Sequence, residues 1–221
     1  MTRAEGQWFD AIRQVNTGGY VPLAGLTLTG TGKSGYDYQP VRPSVGRQAL
    51  TRLPIQNFEE YTFVDFGSGK GRMLLVAAEF PFHKIRGIEF AIELHRQAER
   101  NIVRYRYSRR RCTDLESINI DALDYVFPDS KLILYFFNPF SPEMLRKIFF
   151  NLEKSLAQRS RPVFVIMAYP HYVAPEQSAK GTTGELESSA SVADSMPFLR
   201  LLYDTTRFRV YQTVSSQDVL R

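Results

Sequence analysis

The sequence predicts an α/β fold whose parallel sheet is covered by helices on both faces. From Tyr61 onward, strand-like and helix-like segments alternate, the order that builds a parallel sheet through crossover helices. Lys131 to Phe137 is almost wholly apolar, as expected of a strand buried on both sides. The short apolar segment Thr62–Phe66 stops at Gly67, Gly69 and Gly71 before a helical pattern opens. That strand–turn–helix order places a binding crevice at the carboxyl edge of the sheet.

Taken in order, Trp8 to Val15 reads as a helix and is followed by a Gly- and Thr-rich stretch. A second helix is predicted from Ser44 to Leu53, with Ser44 able to cap it. Thr62–Phe66 is the first strand, and Arg72 to Phe80 a helix burying Leu74, Leu75, Ala77 and Ala78. Ile85–Glu89 is the second strand, Ile92–Tyr105 a helix, and Ser117–Ile120 a short third strand. After the fourth strand, Pro142 suits the first turn of a helix that reaches Leu156. Pro162–Tyr169 makes the fifth strand, and right-handed crossovers should join all five. Glu176 to Ser195, rich in Ser, Thr, Gly and Ala, reads as a long loop. Phe198–Tyr203 and Phe208–Thr213 alternate about Asp204-Thr205-Thr206, a hairpin signal. Residues 1–60 are therefore expected to form an N-terminal helical extension or lid, and 61–221 the sheet domain.

At 221 residues the chain holds one full-sized domain. Its 43% apolar and 23% charged residues are ordinary for a globular protein. The single Cys112 excludes a disulfide framework and a cysteine-rich metal site, and points to a reducing compartment. No apolar run reaches the roughly 18 residues that cross a bilayer, and Met1–Gln7 lacks a signal-peptide core. A cytoplasmic protein with no membrane partner is expected. The net charge of +5 is partly concentrated in Arg104–Arg111. Such a run can bind phosphates, but the reading preferred from sequence is a solvated helix end, where cations suit the dipole. His83, His95 and His171 form no metal-spaced pair, so no metal is expected. Gly30-Thr31-Gly32-Lys33-Ser34 ends like a phosphate-binding loop, but Thr27 stands where that loop needs its first glycine.

The chemistry concentrates at the glycine turn. Glycines there permit positive φ and close approach of a ligand to the backbone, yet their spacing is not the dinucleotide G-x-G-x-x-G. A carboxylate at Asp65 would repel a diphosphate and suits an ammonium group. A zwitterionic, sulfonium-bearing ligand therefore fits better than NAD. Glu89, ending the second strand, stands where an acid can accept both ribose hydroxyls.

Val64-Asp65-Phe66-Gly67-Ser68-Gly69-Lys70-Gly71-Arg72 resembles the first motif of class I S-adenosylmethionine (SAM)-dependent methyltransferases, and Gly87-Ile88-Glu89-Phe90 resembles their second. The resemblance covers roughly residues 61–170. It implies SAM as cofactor and a Rossmann-like seven-stranded sheet, parallel except for one antiparallel strand. It also implies that Asp65, Gly67, Ser68, Gly69 and Gly71 hold the methionine moiety and Glu89 the ribose. In Asn119-Ile120-Asp121-Ala122, Asp121 and Ala122 would meet the adenine. Asn138-Pro139-Phe140 follows the fourth strand, where the family places residues beside the transferable methyl. Asn138 is thus the candidate catalytic residue, aiming an acceptor amine, with Pro139 and Phe140 against the substrate. Asn-Pro is equally a good strand terminator, and the N-P-P-[YF] of amino methyltransferases here lacks a proline. Tyr38-Gln39-Pro40-Val41-Arg42-Pro43-Ser44-Val45 is similar to the SAM-covering segment of the non-SET histone-lysine methyltransferase family, which makes Tyr38 a cofactor or channel contact. The acceptor implied first is a protein lysine or another amine, and the second a nucleic-acid base. A SAM-binding module without catalysis is the rival from another class.

Overall fold

The computed structural model describes residues 2–30, 35–169 and 189–214. Helix α1 (Thr2–Arg13) and helix α2 (Pro43–Thr51) precede a 3-10 turn at Phe58–Glu60. Strand β1 (Tyr61–Phe66), α3 (Arg72–Ala77), β2 (Lys84–Ile88), α4 (Ile92–Arg104) and β3 (Leu115–Ile118) follow. A second 3-10 turn (Ala122–Asp124) leads to β4 (Lys131–Phe137), α5 (Pro142–Gln158), β5 (Val163–Ala168) and α6 (Ser189–Asp194). The hairpin β6 (Leu199–Asp204) and β7 (Phe208–Thr213) ends the described chain.

The seven strands form one sheet in the order β3-β2-β1-β4-β5-β7-β6. Neighbours from β3 through β5 pair in parallel, and β7 pairs antiparallel with both β5 and β6. The order reverses between β1 and β4, the switch point at which open α/β sheets bind ligands. Register places Asp65 between Gly87 of β2 and Tyr135 of β4. Every residue of β1 and β5 is buried; β5 accordingly reads as a continuous apolar run, whereas β1 also buries Thr62 and Asp65.

Two cores flank the sheet. On one face Phe9, Leu50, Met73 and Leu74 pack on Phe63, Ile133 and Ile166. On the other, Ile148, Phe149 and Val192 pack on Val64, Leu134, Phe136 and Val165. The N-terminal helices therefore share the main core.

Five local readings change, the first being α1, which spans Thr2–Arg13 rather than Trp8–Val15 and ends before Gln14, whose φ is 56°. Helix α2 begins at Pro43, with Arg42 extended at the cap position, because a residue before proline avoids the helical region and proline suits the first helical position. Ser44 is not the cap. Its N–H and hydroxyl instead donate to Glu5 of α1, at 2.6 and 3.0 Å. Glu5→Ala should therefore lower stability by about 1 kcal/mol, the usual size of a lost N-terminal cap, read from denaturant unfolding. Helix α3 stops at Ala77 rather than Phe80, where Phe80 and Phe82 turn to pack with Phe58. Strand β3 lies two residues earlier than predicted, because Asn119 leaves the ladder to donate to the Glu89 carbonyl at 2.8 Å. Within the stretch read as loop, Ser189–Asp194 is helical, with Val192 and Ala193 fully buried: tertiary burial overrides weak local propensity. The rest of that stretch up to 188, His171, and residues 31–34 of the Gly30–Ser34 segment lie outside the described residues.

His95 bonds the Ser117 hydroxyl at 2.9 Å and pairs with Glu99, and His83 is exposed. Among the described residues no cluster of His, Cys, Asp and Glu could hold a metal. None of the described helices is long and apolar enough to cross a membrane.

Candidate cofactor site

Strand β1 delivers Asp65 to the carboxyl edge, and the chain then turns through Gly67, Ser68, Gly69 and Lys70 into α3. Gly67 and Ser68 both donate to the Ile88 carbonyl, at 2.9 and 3.1 Å, which ties the turn to β2. Gly67 and Gly69 have φ of 76° and 55°, left-handed values that disfavour a side chain. Space forbids one as well. A Cβ at Gly67 would lie 2.4 Å from Pro139 Cβ, and one at Gly69 would lie 2.1 Å from the Tyr38 ring.

Glu89, only 3% exposed, points at this turn. One carboxylate oxygen accepts from Gly69 N–H at 2.7 Å and the other from Ala91 N–H at 2.9 Å. Burial pushes its carboxyl up to about 7, although these backbone bonds pull the other way. Asp65 is equally buried, and burial together with the Glu89 charge pushes it well above the usual carboxylate range. Tyr135, opposite it in β4, has a buried hydroxyl with no hydrogen-bond partner, and so does Ser68. Neither carboxylate has an ion-pair partner among the described residues. The site thus holds two buried carboxylates, and among the described residues no cation is paired with them.

Asp121 caps the 3-10 turn, accepting from Leu123 N–H at 2.9 Å, and Ala122 behind it is buried. Asn138 has φ of 46°, a strained value for a residue followed by proline. Pro139 packs over Gly67. Phe140, 2% exposed, is held within the core while its backbone bridges to Gly35.

A strap formed by residues 16–30 and 35–41 roofs the site. Its backbone bridges Leu28 to Ala91 and Gly35 to Phe140, while Val21 pairs with Tyr38 within the strap. Thr29 N–H donates to the Phe90 carbonyl and Tyr36 N–H to that of Pro139. The Tyr38 ring lies on Gly69 and its hydroxyl donates to the Thr17 carbonyl at 2.7 Å. Lys70 and Arg72 reach out of the turn to hold the strap's start, at the Gly18 carbonyl and the Thr17 hydroxyl. Asn101 of α4 closes the same joint through the Asn16 and Lys70 carbonyls.

The structure thus gathers Tyr38, Asp65, Gly67, Ser68, Gly69, Glu89 and Pro139 at one place. Gly71 caps α3, facing Ala98. Four residues of this neighbourhood escape a reading from sequence: Arg72, Asn101, Asn119 and Tyr135. Asn119 and Arg72 belong to quoted motifs. Tyr135 gives no signal within an apolar strand, and its place emerges only from the β1–β4 register.

The chain matches no family model and no curated protein. Among solved structures it is similar to a putative SAM-dependent methyltransferase from Methanococcus maripaludis, at 13% identity over 79% of this chain and 85% of that one, TM-score 0.53. It is similar to a Pyrococcus horikoshii protein at 13% identity over 78% and 90%, TM-score 0.53. The magnesium protoporphyrin IX methyltransferase of Synechocystis, solved with bound S-adenosylhomocysteine, aligns at 12% identity over 78% and 82%, TM-score 0.50. At such identities likeness concerns architecture: this chain has the Rossmann-like, seven-stranded fold of the class I methyltransferases.

Proposed function

We propose that the chain is a SAM-dependent methyltransferase acting on an amine nitrogen, of a protein lysine or another amine. The observation that carries this reading is the pair of buried carboxylates, Asp65 and Glu89, facing a glycine turn without a counter-ion. A buried carboxylate left unpaired is costly, so the site suits a ligand that brings positive charge and hydroxyl donors. SAM brings an ammonium, a sulfonium-borne methyl and a ribose. A dinucleotide brings a diphosphate that Asp65 would repel.

In this reading Asp65, Ser68 and the turn hold the methionine part, Glu89 the ribose hydroxyls, and Asp121 with Ala122 the adenine. The residues fit the cofactor once the Tyr38 ring moves off Gly69, so the strap acts as a lid. Asn138 orients the acceptor nitrogen, Pro139 shapes the wall beside it, and Phe140 fixes that wall to the core. Methyl transfer is an in-line displacement, and alignment supplies most of its rate. A neutral amine needs no general base. The second reading, a nucleic-acid base as acceptor, is favoured by the arginine surface described below.

Calorimetry should show binding of SAM and S-adenosylhomocysteine, and none of NAD. NAD binding without SAM binding would end the methyltransferase reading. Glu89→Ala should weaken SAM by about 1.5–3 kcal/mol, the range for hydrogen bonds to a charged group, with the fold retained. An unchanged dissociation constant would remove the ribose role. Radiolabelled SAM incubated with fractionated lysate identifies the acceptor, and a protein that binds SAM yet labels no fraction is a binding module.

A further inference from the structure

The segment from Arg96 to Arg111 holds seven arginines, no lysine and one glutamate. Its surplus of six positive charges exceeds the net +5 of the whole chain, so the protein's basicity is local. The structure shows more than a solvated helix end. Arg96, Arg100 and Arg104 stand four residues apart on α4, all exposed, opposite the face that buries Leu94, Ala98 and Asn101. They form a line about 12 Å long at 1.5 Å per residue. In the chain that follows the helix, Arg106, Arg109 and Arg111 are exposed and Arg110 is half-buried.

Nearby acids are engaged elsewhere. Glu79 pairs with Arg13 and Arg47, Asp114 and Glu116 with Arg86, and Glu99 with His95. Glu93 accepts from Thr27 N–H, and its charge also meets that of Arg96. The guanidinium groups of Arg106 and Arg110 bond only to backbone carbonyls, and that of Arg100 to Gln97. None of the seven is ion-paired among the described residues. Glu99 is the one acid within the segment and Glu93 flanks Arg96, so the six-charge surplus that remains repels itself and is stabilised by a partner carrying regularly spaced anions. Arginine, rather than lysine, matches phosphate with a planar fork and stacks on bases. The helix that carries the row begins beside the candidate site, because α4 starts directly after Ala91, whose N–H holds Glu89.

We propose that the exposed arginine row of α4 and its following loop is a binding surface for the phosphate backbone of a nucleic-acid strand. The surface stands on its own charges and does not depend on the methyltransferase reading.

The test is fluorescence anisotropy of the full chain with labelled single-stranded RNA of roughly 20 nucleotides, across a salt series. Each neutralised phosphate of a single strand contributes about −0.7 to the slope of log affinity against log salt, so five contacts give about −3.5. The exposed triple variant R104E/R109E/R111E should lose at least about 100-fold in affinity and flatten the slope by about 2. Arg200→Glu, exposed on β6, should change neither. Circular dichroism and thermal melting confirm that both variants fold. Absence of RNA binding would overturn the proposal, as would binding unaffected by the triple variant. Equal affinity for poly-glutamate or anionic vesicles would also overturn it, by reassigning the surface to an acidic protein or a membrane. SAM calorimetry on the same triple variant should match the parent.

Discussion

Replacing Asn138 with alanine should lower kcat by about 10²–10³, the usual loss when one preorganised hydrogen bond is removed from a water-excluded site, and leave SAM affinity nearly unchanged. The residue closes β4, next to β5 at the carboxyl edge, in a left-handed conformation with φ of 46°. Asparagine tolerates that region better than most residues, which explains its presence before Pro139 on purely conformational grounds. Alanine removes both the amide and that tolerance, so a further loss of about 1 kcal/mol in stability is expected. A glycine variant separates the two roles. Asn138→Gly relieves the backbone and still lacks the amide, so it should melt near the parent, bind SAM, and transfer methyl as slowly as the alanine variant. Parental turnover in the glycine variant would make Asn138 a strand terminator and place the acceptor contact elsewhere. An effect on transfer rate without one on SAM affinity is the signature of a group that acts on the reacting atoms.

How much of this was legible in the sequence depends on how local the cause is. The glycine turn, Asp65 and Glu89 could be read because a strand, a positive-φ turn and a helix are encoded by contiguous residues. The β4 boundaries agree with the prediction at both ends, since an apolar strand between a lysine and an asparagine has clear limits. Ser44 misleads because its partner, Glu5, lies 39 residues away on α1, and no periodicity reports a cap supplied by another helix. Tyr135 looks like one more apolar residue until register sets it against Asp65. Arg96 and Arg100 lie outside the run Arg104–Arg111 that stands out in the sequence. Only their alignment with Arg104, and the absence of any ion pair to the seven arginines among the described residues, turns a charge run into a surface. The strap illustrates the same limit: its Gly- and Thr-rich composition indicates irregular chain, while its position over the site arises from bridges to Ala91 and Phe140.

SAM affinity should rise with pH between about 5.5 and 7.5, with release of protons on binding. In the ligand-free protein burial pushes Asp65 well above the ordinary carboxylate range and Glu89 up to about 7, which favours the protonated forms as pH falls. A cationic ligand favours the ionised forms and lowers both values in the complex. Affinity therefore grows through the interval between the bound and free values, by at most about tenfold per pH unit for each proton released, and levels off above it. Near pH 8 the ligand's own amino group begins to lose its charge, which sets the upper edge. The stability of the free protein has the opposite sign. A carboxylate whose folded value is raised contributes stability below its unfolded value and loses it as pH rises through the folded one. The melting temperature without ligand should thus fall from pH 5 toward 8, and saturating SAM should reverse the trend. Asp65→Asn keeps the volume and removes the charge. It should weaken SAM by more than about tenfold, the lower end for a lost charged hydrogen bond, lower the number of protons released, and lessen the fall in melting temperature. Calorimetry in two buffers of different ionisation enthalpy counts those protons directly. A SAM affinity that stays flat across this range, with no protons released, would show that Asp65 does not meet the cationic end of the ligand and that Glu89 does not take its hydroxyls as a carboxylate.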